Sequence, residues 1–414
     1  MAVTFFEVEV NNTKIPVIFE KDNRLPLASV EFIFKDSGTL ASKKAGLVSL
    51  AADLLNEGSK KDGSMKFAKE LEDNAIEFSV NSGNETFVFT LESLKERFDF
   101  GLKKVIELIN EPNYSDEAFK KVVTKRVGVL ARKADDFDYI ANNGLKELLF
   151  KGTPLANPRL GTIESIKSLK LEDLKNFIDT HLYKNNLLVV IGGDFSEDEV
   201  REVVKKFASN LKSGEVKKLQ KIKVNENNQS KEINKDTKQA YIYFGAPYYM
   251  ESNDTKRVIG KVASFILGSS GFGSRLMEEV RVKRGLAYSA YSRFIVNRTN
   301  SYFFGYLQTK LENQDEAIGV VKEVINKFLK EGATQKELDS AKKFFLGSEP
   351  LRSETLMQRL NRAFNEYYSG LGLGFSKKEL EIIKNLTLKE LNDFIKNHQE
   401  INKLSFFIVT NKQK

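Results

Sequence analysis

Part of this chain is repeated within it. Ile166-Lys-Ser-Leu-Lys-Leu-Glu-Asp-Leu-Lys-Asn-Phe-Ile-Asp-Thr-His181 recurs as Ile383-Lys-Asn-Leu-Thr-Leu-Lys-Glu-Leu-Asn-Asp-Phe-Ile-Lys-Asn-His398, and ten of the 22 positions from 166 to 187 are identical in the second copy. Each copy has apolar residues at helical spacing (171, 174, 177 and 178 in the first) and then runs into an apolar stretch, Leu187–Ile191 or Leu404–Ile408. The pattern predicts a capped amphipathic helix followed by a buried strand, twice. A repeat of this size across 414 residues implies two homologous domains.

The stretch between the copies fits that division. From Leu211 to Lys238 there are eight lysines, four acidic residues, no aromatics and no proline. This reads as a solvated linker, giving domains at 1–212 and 236–414 with a charged linker at 213–235. Strand-like Ala28–Lys35 and Ala240–Gly245 open the two halves. Helices follow near 45–55 and 255–267. A hairpin is expected at Ile76–Val80 and Thr86–Leu91, turning at Gly83-Asn84, with further helices near 95–110 and 115–134. The expected class is α+β, two homologous domains, each a mainly antiparallel sheet with helices packed on one face.

Composition excludes several chemistries. With no cysteine there is no thiolate nucleophile and no Cys-type metal or disulfide site. The two histidines, His181 and His398, are repeat equivalents, so they are expected at matching helix ends in separate domains rather than in one metal pocket. Half of the net charge of +8 lies in the linker, without interleaved aromatics, which argues against nucleic-acid binding. The N-terminus lacks a signal-peptide pattern and no window is apolar enough to span a membrane. The absence of cysteine suits the cytoplasm; a periplasmic location would require a trimmed signal.

Two segments carry a resemblance. Gly268-Ser-Ser-Gly-Phe-Gly-Ser-Arg-Leu-Met-Glu-Glu-Val-Arg281-Val-Lys-Arg-Gly285-Leu-Ala-Tyr288-Ser and Pro154-Leu-Ala-Asn-Pro-Arg-Leu-Gly-Thr-Ile-Glu-Ser-Ile166 resemble the insulinase/pitrilysin-type zinc metallopeptidases, in particular the bacterial processing-peptidase-like branch. The likeness extends over nearly the whole chain and implies a clam-shaped dimer. Active members carry an H-x-x-E-H motif on the first long helix, with two zinc-binding histidines and a general-base glutamate. Here those positions fall on Ser49, Ala52 and Asp53. The third ligand should fall near Leu130–Arg132, yet Ala118 to Ala134 contains no Asp or Glu. The Asp53/Glu57 pair reads as a solvated or capping feature rather than a metal site. No zinc is therefore expected on this chain.

The resemblance also implies what is retained. An Arg and a Tyr seven residues apart, matched by Arg281 and Tyr288, bind substrate in the family's second domain. Arg275–Lys283 reads as a helix end, Gly285 as its break and Leu286–Ser289 as a strand start, a turn that can bring the two side chains together. The Gly268–Gly273 stretch lacks a Gly-Lys-Ser/Thr ending and reads as a helix–helix turn. The implied function is a non-catalytic, substrate-binding subunit of a heterodimeric peptidase, whose zinc-bearing homologous partner acts on unfolded peptides. The alternative is a peptide-binding or structural homodimer without proteolytic activity.

Overall fold

The computed structural model describes residues 3–411; Met1, Ala2 and the last three residues of the expected domains lie outside them. Among the described residues there are eleven strands in two sheets. The first sheet contains β1 (Thr4–Val10), β2 (Thr13–Lys21), β3 (Leu27–Lys35), β4 (Glu77–Ser82), β5 (Thr86–Leu94) and β6 (Leu187–Gly193). The second contains β7 (Ser230–Asn234), β8 (Gln239–Pro247), β9 (Ala287–Val296), β10 (Ser301–Lys310) and β11 (Ser405–Thr410).

The repeat is visible in the strand order. The first sheet runs β1-β2-β6-β3-β5-β4 and the second β7-β11-β8-β10-β9. Without β1 the two correspond strand for strand. Each has one parallel pair, β2 with β6 and β7 with β11, in an otherwise antiparallel sheet. This is the mixed, mainly antiparallel α+β architecture that the repeat predicts. The repeated helices occupy Leu171–His181 and Leu388–Asn397. Thr387 and Glu390 form a reciprocal capping box at the second. At the first, only the carboxylate half remains, as Asp173 accepts from the Lys170 N–H.

Two features differ from expectation: the β1–β2 hairpin precedes the strand expected to open the first half, and a strand lies where a linker was expected. Ser230–Asn234, within the stretch read as linker, is the parallel edge strand β7. Its side chains are mostly solvated, so its polar composition does not distinguish it from linker; the backbone pairing with β11 makes it a strand. The rest is tied down locally. Leu219 N–H donates to Asp36, and Asn225 N–H to the Leu149 carbonyl.

Contacts gather the described chain into two compact units, and neither is contiguous. One comprises residues 1–132, 157–220 and 353–365; the other comprises 133–156, 221–352 and 366–414. The halves 1–212 and 236–414 thus each supply a helix to the other's sheet, and burial of the central strands explains why. β6 and β11 are buried along their whole length, on both faces. One face of the first sheet packs on helices Leu47–Leu55, Phe98–Asn110, Leu171–His181 and Glu197–Ala208, through a core that includes Phe32, Phe34, Val189 and Phe207. Ile18, Ile33, Leu188 and Val190 are also buried but lie outside that core. The helix Leu356–Tyr368 packs on this sheet too, with Leu356 and Leu360 against Gly192. Arg359 anchors it, with Nε donating to the fully buried Glu20 at 2.7 Å and Nη2 to Asp22 at 2.7 Å. Arg24, then Arg359, holds the Asp22 carboxyl well below the usual carboxylate range.

The second sheet uses the same device in reverse. Helix Phe137–Phe150, from the N-terminal half, packs with Leu145 and Leu149 against Gly245. Asp138 accepts from the Tyr243 hydroxyl at 2.9 Å and from Gln308 Nε2 at 2.8 Å. Gly144 meets the Phe407 ring so closely that a Cβ would lie 2.3 Å from it. Gly144→Val should therefore overpack this contact and cost about 1–3 kcal/mol, read as a lower urea midpoint of the full chain. Gly319→Ala, in an exposed helix position with nothing near the added methyl, should instead stabilise by about 0.5–1 kcal/mol.

Candidate functional site

Helix Leu47–Leu55 starts at Gly46, whose φ of +82° lets the chain turn into the helix. Ser49, Ala52 and Asp53 follow one another on the first two turns, with Ser49 and Ala52 buried. Spacing of four places Ser49 and Asp53 on one face. Helix Asp116–Lys133 packs beside them and presents Arg126, only 6% exposed. Its guanidinium bridges the two motif positions. Nη1 donates to Ser49 Oγ at 2.8 Å and to the Leu160 carbonyl at 3.1 Å, and Nη2 donates to Asp53 Oδ2 at 2.6 Å. Ser49 Oγ lies within donating distance of the Arg159 carbonyl, at 2.8 Å.

These residues do not fit zinc. The Ser49 hydroxyl is engaged at both ends, Ala52 offers a methyl, and Asp53 is held by a fixed cation. Burial pushes the Asp53 carboxyl up, and Arg126 pulls it back down. A guanidinium lodged between the motif positions also repels a dication. Leu130, near the third-ligand position, is part of the core. Among the described residues no group of three or more His, Asp or Glu side chains could hold a metal. The Asp53/Glu57 pair is not the solvated or capping feature that the sequence reading had: Asp53, though partly exposed, is ion-paired to Arg126. Glu57 is buried beyond the helix end and takes Lys121 at 2.6 Å and the Ser64 hydroxyl, so each acid has its own cation. Those partners lie 64 and 73 positions away, which explains why helix spacing did not reveal them.

The histidines behave as helix-end residues. His181 closes its helix, stacks on Phe177 with centroids 4.2 Å apart, and sets Nδ1 3.0 Å from the Phe177 carbonyl. Burial holds its imidazole below the usual range. His398 caps the second copy, packs on Phe394 at 4.3 Å, and sets Nδ1 2.7 Å from Glu400. Phe177 and Phe394 are repeat equivalents as well. The two histidines belong to different compact units.

Arg281 and Tyr288 are brought together. The helix Arg275–Met277, capped by Ser274, widens into a π-type turn over Glu278–Val282 that carries Arg281. The Gly285 N–H donates to the Arg281 carbonyl at 2.9 Å and the Leu286 N–H to the Val280 carbonyl at 2.9 Å. This closure requires the φ of +61° that Gly285 adopts. β9 then begins with a bulge, because Leu307 pairs with Ala290 but Thr309 with Ala287. Tyr288 and Ser289 thus share one partner position, and the bulge turns Tyr288 outward, where it is 80% exposed. The Arg281 guanidinium lies 4.5 Å from the Tyr288 ring centroid. Sequence reasoning missed a third member. Phe272, 68% exposed, lies 4.7 Å from the same guanidinium on its ring face. Its loop is the expected turn between helices, with φ of +70° at Gly271 and +87° at Gly273. A bulky aromatic between two such glycines was the available signal.

Comparisons with known proteins bear on the family and the fold. A model of the peptidase M16 inactive domain matches residues 168–345. A Helicobacter pylori protein described as the non-peptidase homolog YmxG is 43% identical over 98% of this chain and 94% of its own length. A Bacillus subtilis protein described as an uncharacterized zinc protease, YmxG, is 24% identical over 80% of this chain and 78% of its own. The crystal structure of a peptidase M16 inactive domain from Pseudomonas fluorescens superposes with a TM-score of 0.91 at 22% identity, covering 100% of this chain and 99% of that one. At that identity the likeness concerns the fold.

Removing Arg126 alone leaves Asp53 facing an apolar gap. Arg126→Leu should cost about 1–3 kcal/mol, less than a fully buried pair because Asp53 is partly exposed. Adding Asp53→Leu should recover part of that loss in urea unfolding, and strict additivity would disprove the coupling. Metal analysis of the purified chain should find less than one zinc equivalent.

Proposed function

This chain belongs to the insulinase/pitrilysin-type (M16) peptidase family as a non-peptidase member, and from that premise we propose that it is the non-catalytic, substrate-binding subunit of a heterodimeric zinc-dependent peptidase. A homologous partner bearing H-x-x-E-H holds the zinc, and unfolded peptides are the substrate. Arg281 and Tyr288 are supplied to that partner's site. The Arg281 guanidinium donates to a peptide carbonyl, and the Tyr288 hydroxyl donates to the oxyanion as charge develops there. A cytoplasmic location fits the cysteine-free sequence. Among the described residues no helix is long and apolar enough to cross a membrane.

One contrast carries the reading. The vacated motif is filled by a buried arginine with its own acceptors, whereas Arg281 is half-buried beside the exposed Tyr288 with no hydrogen-bond or ion-pair partner for its guanidinium among the described residues. A fold that had lost both roles would have no use for an unpaired cation held against an exposed tyrosine.

The test is a pull-down of the tagged chain from its native lysate, with a peptidase assay on what is retained. A stoichiometric H-x-x-E-H partner and chelator-sensitive activity are expected. In the reconstituted pair, Arg281→Ala or Tyr288→Phe should lower kcat about 100-fold or more without unfolding either chain. Full activity with both changes would end the proposed role. A homodimer with no partner and no activity would favour the peptide-binding or structural alternative.

A further inference from the structure

Among the described residues, Arg281 is a cation without an anion. Its guanidinium carbon lies over two aromatic rings, Phe272 at 4.7 Å and Tyr288 at 4.5 Å from the centroids. The nearby acid Glu279 is already taken by Lys283 at 2.5 Å and by Arg284. The two rings hold the guanidinium in place by cation–π contact, and its N–H groups have no hydrogen-bond or ion-pair partner among the described residues. The two rings are largely exposed, and so is the next residue, Val282.

A single peptide carbonyl does not use up this set of donors. A guanidinium has five N–H donors, and a peptide carbonyl takes two at most. A carboxylate presents two oxygens at the spacing of the fork, together with the opposite charge. We propose that the Phe272–Arg281–Tyr288 cluster recognises a carboxylate on the bound peptide, with an apolar neighbour of that carboxylate lying against the exposed rings. The inference rests on the reading that Arg281 and Tyr288 meet a peptide, and it adds the substrate class. Phe272 is a positioning residue that acts by holding the Arg281 guanidinium over its ring. The carboxylate comes from an Asp or Glu side chain or from a free peptide C-terminus.

Three fluorescein-labelled peptides with one apolar-flanked sequence test this by anisotropy against the full chain. The first has an internal Glu and an amidated C-terminus, the second has Gln and an amidated C-terminus, and the third has Gln and a free C-terminus. At least one acidic peptide should bind about tenfold more tightly than the amidated Gln peptide, and raised salt should reduce that preference. Which acidic peptide gains identifies the source. Arg281→Lys, which keeps the charge but loses the fork, should lower the preference to about twofold, and Phe272→Ala should reduce it with the circular dichroism spectrum unchanged. An unchanged preference in both variants overturns the assignment to this cluster. Equal affinity for all three peptides overturns the carboxylate, but the peptide reading survives if Arg281→Ala weakens all three alike. No binding of any peptide overturns both.

Discussion

A strand with apolar side chains on both faces cannot leave either face to water, and the rest of this structure follows from that requirement. β6 and β11 each lie inside a sheet and are buried end to end. Helices of the same repeat cover one face. The opposite face is covered by a helix from the other repeat, Leu356–Tyr368 on the first sheet and Phe137–Phe150 on the second. Glycines at the contacts, Gly192 and Gly144, let the apolar surfaces meet at van der Waals distance. Polar anchors fix the register of each helix, through Arg359 on Glu20 and Asp22 and through Asp138 on Tyr243 and Gln308. The Arg359 anchor supplies a partner to Glu20 Oε1, and the Asp138 anchor one to the Tyr243 hydroxyl, groups that burial would otherwise leave unpaired.

The two candidate sites separate by where each puts an arginine. Arg126 lies in the interior, where low polarity strengthens every donor–acceptor contact, and it is matched by Ser49, Asp53 and the Leu160 carbonyl. A cation so satisfied is part of the fold and excludes a second one. Arg281 is in the opposite situation. Its guanidinium rests over two rings without an anion among the described residues, and the turn and bulge that set it beside Tyr288 are built from Gly285 and the Tyr288–Ser289 offset. The same side chain closes one site and leaves the other available to a ligand.

Recognition of the family from the sequence rested on local signals. The Gly268–Ser289 segment sets helix, break and strand within a few residues, and the structure keeps that order, although the helix end widens into a π-type turn. The loss of the zinc motif was equally legible, because ligand identity at Ser49, Ala52 and Asp53 is a property of the sequence itself. What replaced the metal was not legible, since Arg126 reaches those positions only through the packing of two helices.

The sequence by itself determined the repeat, the type of each main element, the absence of a zinc ligand set and the proximity of Arg281 to Tyr288. Those features depend on residue type and on spacings of a few positions, where helix and strand periodicity operate. Only the tertiary structure decided which sheet each exchanged helix covers, because an apolar helix face reads the same whichever sheet it meets. It also decided that Ser230–Asn234 pairs as a strand, since a solvated edge strand and a linker share one composition. And it placed Phe272 on Arg281, because contact between a loop and a turn is set by packing rather than by sequence distance.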